Sequence, residues 1–352
     1  STGVMCADFH IHSYYSADSS DPVGYKVAGA LADGLEIPVS SEHEWVIDFQ
    51  PIIQSLGLTR FAFGVPSEEF TTFQWGHFGI IPLRARPELL NQGAVQWYNR
   101  KPPEVFADVA KLPDKPVMIV NHPSGSNSTG GSYFTATNMR RGGGVGDSGM
   151  WSDQFEAVEV FNDSTFEDNR SGSVTDWFLL LNRGRMVWAV GSSDSHGLRG
   201  SPVGYPRTCL RFGHDDPTKL TPEALRDALR TGNAVVTGGI FLTVTGPNNA
   251  APGTMLPAGT PPRFNVVAQT PSWLSASTLE VIVDGETQET VQLRESQGAG
   301  PARRYEATVT ATPRGKGPLH WVVFHARAAD GKTLAPVEPG RAPFGVSNPI
   351  FF

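Results

Sequence analysis

Cysteine is scarce in this chain of 352 residues: Cys6 and Cys209 are too few and too distant to read as a disulfide framework. Each lies in an apolar, strand-like setting (Val4-Met5-Cys6-Ala7 and Thr208-Cys209-Leu210), so both are expected to be buried free thiols. Long hydrophobic runs are missing as well, and nothing approaches the roughly eighteen apolar residues that a membrane span needs. There is no Lys/Arg block. With 28 Lys+Arg against 35 Asp+Glu and a formal net charge of -7, duplex nucleic acid and anionic membrane are poor partners. A locally basic pocket for a small anionic substrate stays open, while oligomeric state is not legible. The chain also lacks an opening methionine; removal of an upstream piece, such as an export signal, fits Ser1.

What is present is an ordinary globular balance, 39% hydrophobic and 18% charged. That length accommodates two domains, or one large domain with an appendage. Strand and helix patterns alternate through the first two thirds. A strand carrying His10 and His12 precedes Asp21-Pro22, an N-cap followed by proline at the first helical position, and Gly34 stops that helix. Strands are expected at 36–40, 60–65, 116–120, 155–161, 186–190 and 234–237, with a hairpin arm at 76–81. Helices are expected over 103–112, through Trp177 and Leu181, and from the cap Thr221 to Arg230. Such alternation is the mark of a parallel α/β sheet or barrel, whose active site lies at the C-terminal strand ends. From about Gly246 the character changes to Pro/Gly clusters and short alternating strands. Asp284-Gly285 reads as a type I′ hairpin turn. The expectation is a barrel domain over 1–245 and a small, Ig-like β-sandwich over 246–352, serving as a packing partner or attachment module.

The histidines carry the functional signal. Of nine, six (His10, His12, His43, His77, His122 and His196) fall at or beside expected strand ends in the α/β part. His10 and His12 sit at i and i+2, which puts both rings on one face of a strand; Asp194 and His196 repeat that spacing. Asp18, Asp194 and Glu69 or Glu68 add carboxylates in equivalent places. Imidazole with carboxylate and no thiolate suits Zn, Mn or Fe. Six imidazoles and three carboxylates exceed what one ion takes, about four ligands.

These motifs together resemble the PHP (polymerase and histidinol phosphatase) metallohydrolases, in their CehA/McbA-type branch, over residues 5–245. The resemblance rests on Asp8-Phe9-His10-Ile11-His12-Ser13 with Ser16-Ala17-Asp18, on Ser41-Glu42-His43, and on Gly64-Val65-Pro66-Ser67-Glu68-Glu69-Phe70-Thr71-Thr72 with Gly76-His77-Phe78. Asn121-His122-Pro123 and Ser193-Asp194-Ser195-His196 complete it. Two places depart from the family pattern: Ser41-Glu42-His43 stands for Thr-Asp-His, and extra residues interrupt Gly-Val-Glu. The resemblance implies a distorted seven-stranded (β/α) barrel with two or three divalent ions. His10, His12, Glu69 and Asp194 would hold one, Glu69, His77 and His122 the second, and Asp18, His43 and His196 the third. Glu69 is preferred to Glu68 because Phe-Thr-Thr follows it.

In such a centre a hydroxide bridging two ions is the nucleophile, and Asp18 and His196 stand nearest to the leaving group. The favoured reaction is hydrolysis of a small organic phosphate. The alternatives are hydrolysis of a carboxylic or carbamic ester or amide, and a non-catalytic metal-binding module. A glycine-rich insertion, 124–149, leaves directly from His122. Its Arg140 and Arg141, with Arg199 past His196, are candidate clamps for an anionic substrate. Trp151 and Phe166 are either pocket-lining or core residues.

Overall fold

The computed structural model describes residues 2–125, 131–140, 149–296, 300–315, 317 and 319–352. The chain divides into two compact units, residues 1–163 with 189–230, and residues 164–188 with 231–352.

The first unit contains β1 (Val4–Ile11), α1 (Val23–Ala32), β2 (Ile37–Ser40), α2 (Gln50–Ser55), β3 (Glu68–Thr71), β4 (His77–Ile81), α3 (Pro102–Val109), β5 (Val117–Asn121), α4 (Tyr133–Ala136) and β6 (Ala157–Asn162). After α5 (Phe166–Asn169) and α6 (Ser173–Asn182), which belong to the other unit, it resumes with β7 (Trp188–Ser192), β8 (Arg207–Arg211) and α7 (Pro222–Arg230). β1 pairs with β2 in parallel and with β8 antiparallel. A second sheet runs in the order β3-β4-β5-β6-β7. Isolated bridges join these groups: Val39 to Val65, His43 to Glu69, and Ile11 to Ser195.

β1, β2, β5 and β6 are buried along nearly their whole length, which explains their apolar sequences. α1 buries Val23, Lys26, Val27 and Ala30, a face at i, i+3, i+4 and i+7, against a core with Ile11, Leu35, Phe49, Ile53 and Val203. Each aliphatic side chain buried this way stabilises by about 1.5–3 kcal/mol.

Three readings need correction. Residues 60–65 are not a strand: Arg60 and Phe61 are exposed on a turn, and Gly64 packs so tightly on Phe49 and Gln50 that a Cβ would meet the Gln50 nitrogen at 2.6 Å. The strand starts instead at Glu68. Cys6 and Cys209 are not free thiols; they stand directly opposite in the β1–β8 pair and form a disulfide. Asp21 is not the α1 cap, a place taken by Pro22; its carboxylate accepts from Leu198 N at 2.8 Å. β9 (Ala234–Gly238), within the second unit, pairs with β17 (Phe344–Ser347).

The second unit continues with β10 (Phe241–Thr245), β11 (Arg263–Thr270), β12 (Thr278–Val283), β13 (Glu286–Gln292), β14 (Arg294–Ser296), β15 (Arg303–Thr310), β16 (Trp321–Arg327) and β18 (Ile350–Phe351). One antiparallel set runs β13-β12-β16-β17-β9, with β18 also on β16, and the other runs β10-β11-β15-β14. Phe264 and Phe324, one from each set, meet at 5.4 Å between ring centroids. Asp284 and Gly285 have φ of 54° and 91° in the two-residue β12–β13 turn, as the type I′ reading requires. α6 packs Phe178 on Trp321 at 4.8 Å, and the Trp321 indole donates to Asn182 at 2.8 Å, which ties residues 164–188 to this unit.

Candidate metal centre

Register brings the predicted residues to one end of the first unit's strands. His10 is the penultimate residue of β1 and His12 follows its end. Thr71, His77 and Asn121 align across β3, β4 and β5, which carries His77 and His122 to the same level as Glu69. Asp194 and His196 lie just past β7, held to β1 through the Ile11–Ser195 bridge.

Glu69 is the hub. Its Oε1 lies 3.1 Å from His10 Nε2, 3.3 Å from His122 Nε2 and 3.5 Å from His77 Nδ1. Its Oε2 lies 3.0 Å from His43 Nδ1 and 3.7 Å from His12 Nε2. Asp194 Oδ1 stands 3.1 Å from His10 Nε2 and 3.2 Å from His12 Nε2. Asp18 Oδ2 is 3.2 Å from Nε2 of both His43 and His196. All nine predicted ligand residues therefore converge. The neighbouring Glu68 points away, accepting from Val95 N at 2.6 Å.

Five of the rings are held by Nδ1. His10 bonds Glu159 at 2.8 Å, His12 bonds Ser16 Oγ at 2.9 Å and His43 bonds Thr71 Oγ1 at 2.6 Å. His122 donates to Gly131 O and His196 to Asp194 O, both at 2.8 Å. With Nδ1 so engaged, Nε2 of His10, His12, His122 and His196 faces the cluster, whereas His43 also turns Nδ1 toward Glu69 and Nε2 toward Asp18. His77 presents Nδ1 instead.

Electrostatics match the crowding. Burial lowers His12 to about 4, aided by the charge on His10. Burial also acts on His10, but Asp194, Glu69 and Glu159 outweigh it and raise that ring well above its usual value. His43 and His122 are each lifted to about 9 against burial, chiefly by Glu69. Glu69 and Asp194 are held well below the carboxylate range despite burial, with His10 the leading cause. Glu69 and Asp194 stay charged, and protons on His10, His43 and His122 offset them.

Divalent ions fit these residues. His10 Nε2, His12 Nε2, His77 Nδ1 and Asp194 Oδ1 are buried and have no hydrogen-bond partner. Buried polar atoms in that condition are costly, and all four aim at the cluster. Ligand atoms of His10, His12 and Glu69 lie within 4.8 Å of one another, as do those of Glu69, His77 and His122, of His12, His43 and His196, and of His10, His122 and Asp194. The sets overlap, so two ions and three are both compatible with them.

No family model matches the chain, and no curated protein matches it. Among solved structures, a candidate metal-dependent phosphoesterase from Bifidobacterium adolescentis is similar at 14% identity, covering 63% of this chain and 95% of that one, with a TM-score of 0.33. That likeness is too low to fix fold or activity.

The predicted anion clamps are less telling. Arg140 and Arg199 are exposed, on turns after α4 and after His196, while Arg141 lies outside the described residues. Trp151 stacks on Tyr133 at 5.4 Å, and Phe166 is fully buried in the other unit. The sequence reading passed over Glu159, Asn162 and Glu42. Glu42 receives hydrogen bonds from Ser13 and Ser16 at 2.5 and 2.6 Å, and so fixes the loop after His12. A signal for Glu159 was available, since it is the only charged residue in the strand Ala157-Val158-Glu159-Val160-Phe161-Asn162.

Proposed function

We propose that the chain is a metal-dependent hydrolase of PHP type, in the CehA/McbA-type branch, that hydrolyses a small organic phosphate. The observation that carries this reading is the set of four buried atoms around Glu69 without a hydrogen bond, in a donor set of imidazole and carboxylate. A seven-stranded barrel for the first unit and a sandwich for the second remain part of the proposal. The bridges Val39–Val65, His43–Glu69 and Ile11–Ser195 support the former, since they link β2 and the end of β1 to the chain beside β3 and β7, the outer strands of the other sheet.

Zinc, manganese or iron bound here would supply Lewis acidity and lower the pKa of water. His10, His12 and Asp194 would hold one ion with Glu69, and His77 and His122 would hold a second with it. Asp18, partly exposed between His43 and His196, lies where an anionic substrate would approach. Its carboxylate is held below the usual range, against burial, by those two rings, so it is a ligand rather than a proton donor.

One observation favours the ester or amide alternative. Tyr14 and Tyr15 follow His12 and stack at 4.5 Å, Trp45 follows His43, and Phe73 meets Trp97 edge-on at 5.3 Å just beyond Thr71. Phe73 is 76% exposed. An aromatic surround suits an apolar, planar leaving group better than a densely charged one. The test is hydrolysis of p-nitrophenyl phosphate by the metal-reconstituted chain, beside p-nitrophenyl acetate and a naphthyl carbamate, with His12→Ala as control. Phosphate turnover lost in the control supports the first reading. Turnover of the ester or carbamate alone replaces it with the second, and none at all with metal bound returns the chain to a binding module.

A further inference from the structure

β6 contributes no ligand to the cluster, yet two of its side chains reach three residues that do. Glu159 is 1% exposed. Its Oε1 takes the Nδ1 hydrogen of His10 at 2.8 Å, and its Oε2 accepts from His122 N at 2.8 Å and from Asn162 Nδ2 at 3.0 Å. Asn162 Nδ2 also donates to Asp194 Oδ2 at 3.0 Å. A primary amide nitrogen carries two hydrogens, so one nitrogen bridges two carboxylates.

We infer, resting on the metal-centre reading, that Glu159 and Asn162 are positioning residues that aim the ligands of the first two ions. The geometry separates the two ends of each ligand. Glu159 fixes the His10 tautomer and leaves Nε2 as the inward atom, while its negative charge raises the ring's basicity toward a metal. Asn162 occupies Oδ2 of Asp194 and leaves Oδ1, an atom without a hydrogen-bond partner, aimed at the centre. His122 has φ of 25°, a backbone setting that a non-glycine residue adopts only when something holds it, and its N–H is held by Glu159. Asp18, His43 and His196, the ligands assigned to the third ion, receive no hydrogen bond from either residue: His43 is held by Ser16 and Thr71, and His196 by the Asp194 carbonyl.

That asymmetry makes the inference testable by metal binding. The full chain is loaded with zinc or manganese and challenged with graded chelator, and retained ions are counted for wild type, Glu159→Gln, Asn162→Ala and Asp18→Asn. Glu159→Gln keeps the size of the side chain and removes its charge. We expect it, and Asn162→Ala, to weaken the ions held around Glu69 by about 10–100-fold. The ion that Asp18→Asn releases should be retained unchanged in both. A purely structural role for Glu159 would instead weaken every site together, and that result, or no change at any site, would overturn the inference. Wild-type chain that binds no divalent ion would overturn the metal-centre reading and this inference with it. Asn162→Ala keeps the test open if Glu159→Gln fails to fold.

Discussion

Glu68 and Glu69 are neighbours on β3 with opposite fates: both are fully buried, but only Glu69 faces the imidazoles. Strand alternation imposes the difference, because successive side chains point to opposite faces. Burial raises Glu68 well above the usual carboxylate value, which leaves it a neutral acceptor for Val95 N, whereas Glu69 stays charged. If Glu69 helps to hold the proposed ions, Glu69→Gln is expected to lower the chain's divalent-metal content and to lower turnover by at least about 100-fold, the upper end of what losing an outer partner of a ligand costs. Glu68→Gln should leave metal content unchanged and shift stability by less than about 1 kcal/mol, since the amide oxygen still accepts. Metal analysis of the two purified variants decides the matter, and equal loss from both would refute the assignment of Glu69.

The cluster also predicts a pH dependence for the metal-free chain. His43 and His122 are raised to about 9 in the fold from an unfolded value of about 6.5. Groups shifted upward add stability that is fully present below pH 6.5 and is lost as pH climbs through about 9. Glu69 and Asp194, shifted downward, add stability that is present above their unfolded values near 4 and is lost as pH falls. His12, lowered to about 4 in the fold, subtracts stability as pH falls below about 6.5, so the centre's contribution peaks near pH 6.5. Metal binding runs the other way, because each imidazole must shed its proton to ligate. Urea midpoints of chelator-treated protein should fall from pH 6 to 9 while metal affinity rises. A flat midpoint over that window would mean that the imidazoles are neutral without metal.

Lys26 offers a third test. It is wholly buried on α1, with Nζ donating to Ser195 O at 3.1 Å and to Ser195 Oγ at 2.9 Å, and 3.7 Å from Asp21. Burial pulls its pKa down, and the Asp21 charge opposes that pull. Ser195 sits between Asp194 and His196, so this ammonium anchors the turn that presents both. Lys26→Met should cost about 2–3 kcal/mol, from a buried hydroxyl and carbonyl stripped of their donor and a carboxylate stripped of its partner. Denaturant unfolding measures the cost, and a variant as stable as wild type would show that the turn holds itself.

The residues that converge on Glu69 were legible in sequence because strand ends and i,i+2 spacing are local. His10 with His12, and Asp194 with His196, show that spacing, and it gained meaning beside the other histidines at strand ends. What escaped depended on three-dimensional pairing. Residues 60–65 have strand-like composition, yet the close packing of Gly64 on Phe49 takes them off the ladder. The strand 234–237 exists, but its pairing with β17, more than a hundred residues away, groups it with the second unit. Glu159 was passed over because a lone carboxylate in an apolar strand has meaning only once His10 and His122 are seen on either side of it.

The Cys6–Cys209 disulfide is the largest such omission, and it predicts a measurable staple. The two residues are 203 apart in sequence but directly opposite on β1 and β8, and His10 lies only four residues beyond Cys6. Closing so long a loop restricts the unfolded chain, and disulfides of this kind contribute about 2–5 kcal/mol. Chain produced under oxidising conditions and denatured without reductant should resist alkylation at both cysteines, then take up two labels after reduction. Cys6→Ser with Cys209→Ser should lower the urea midpoint accordingly and loosen β1 where it presents His10 and His12, so metal affinity should fall with stability. Two reactive thiols in the unreduced, denatured protein would restore the reading of a pair of buried free cysteines.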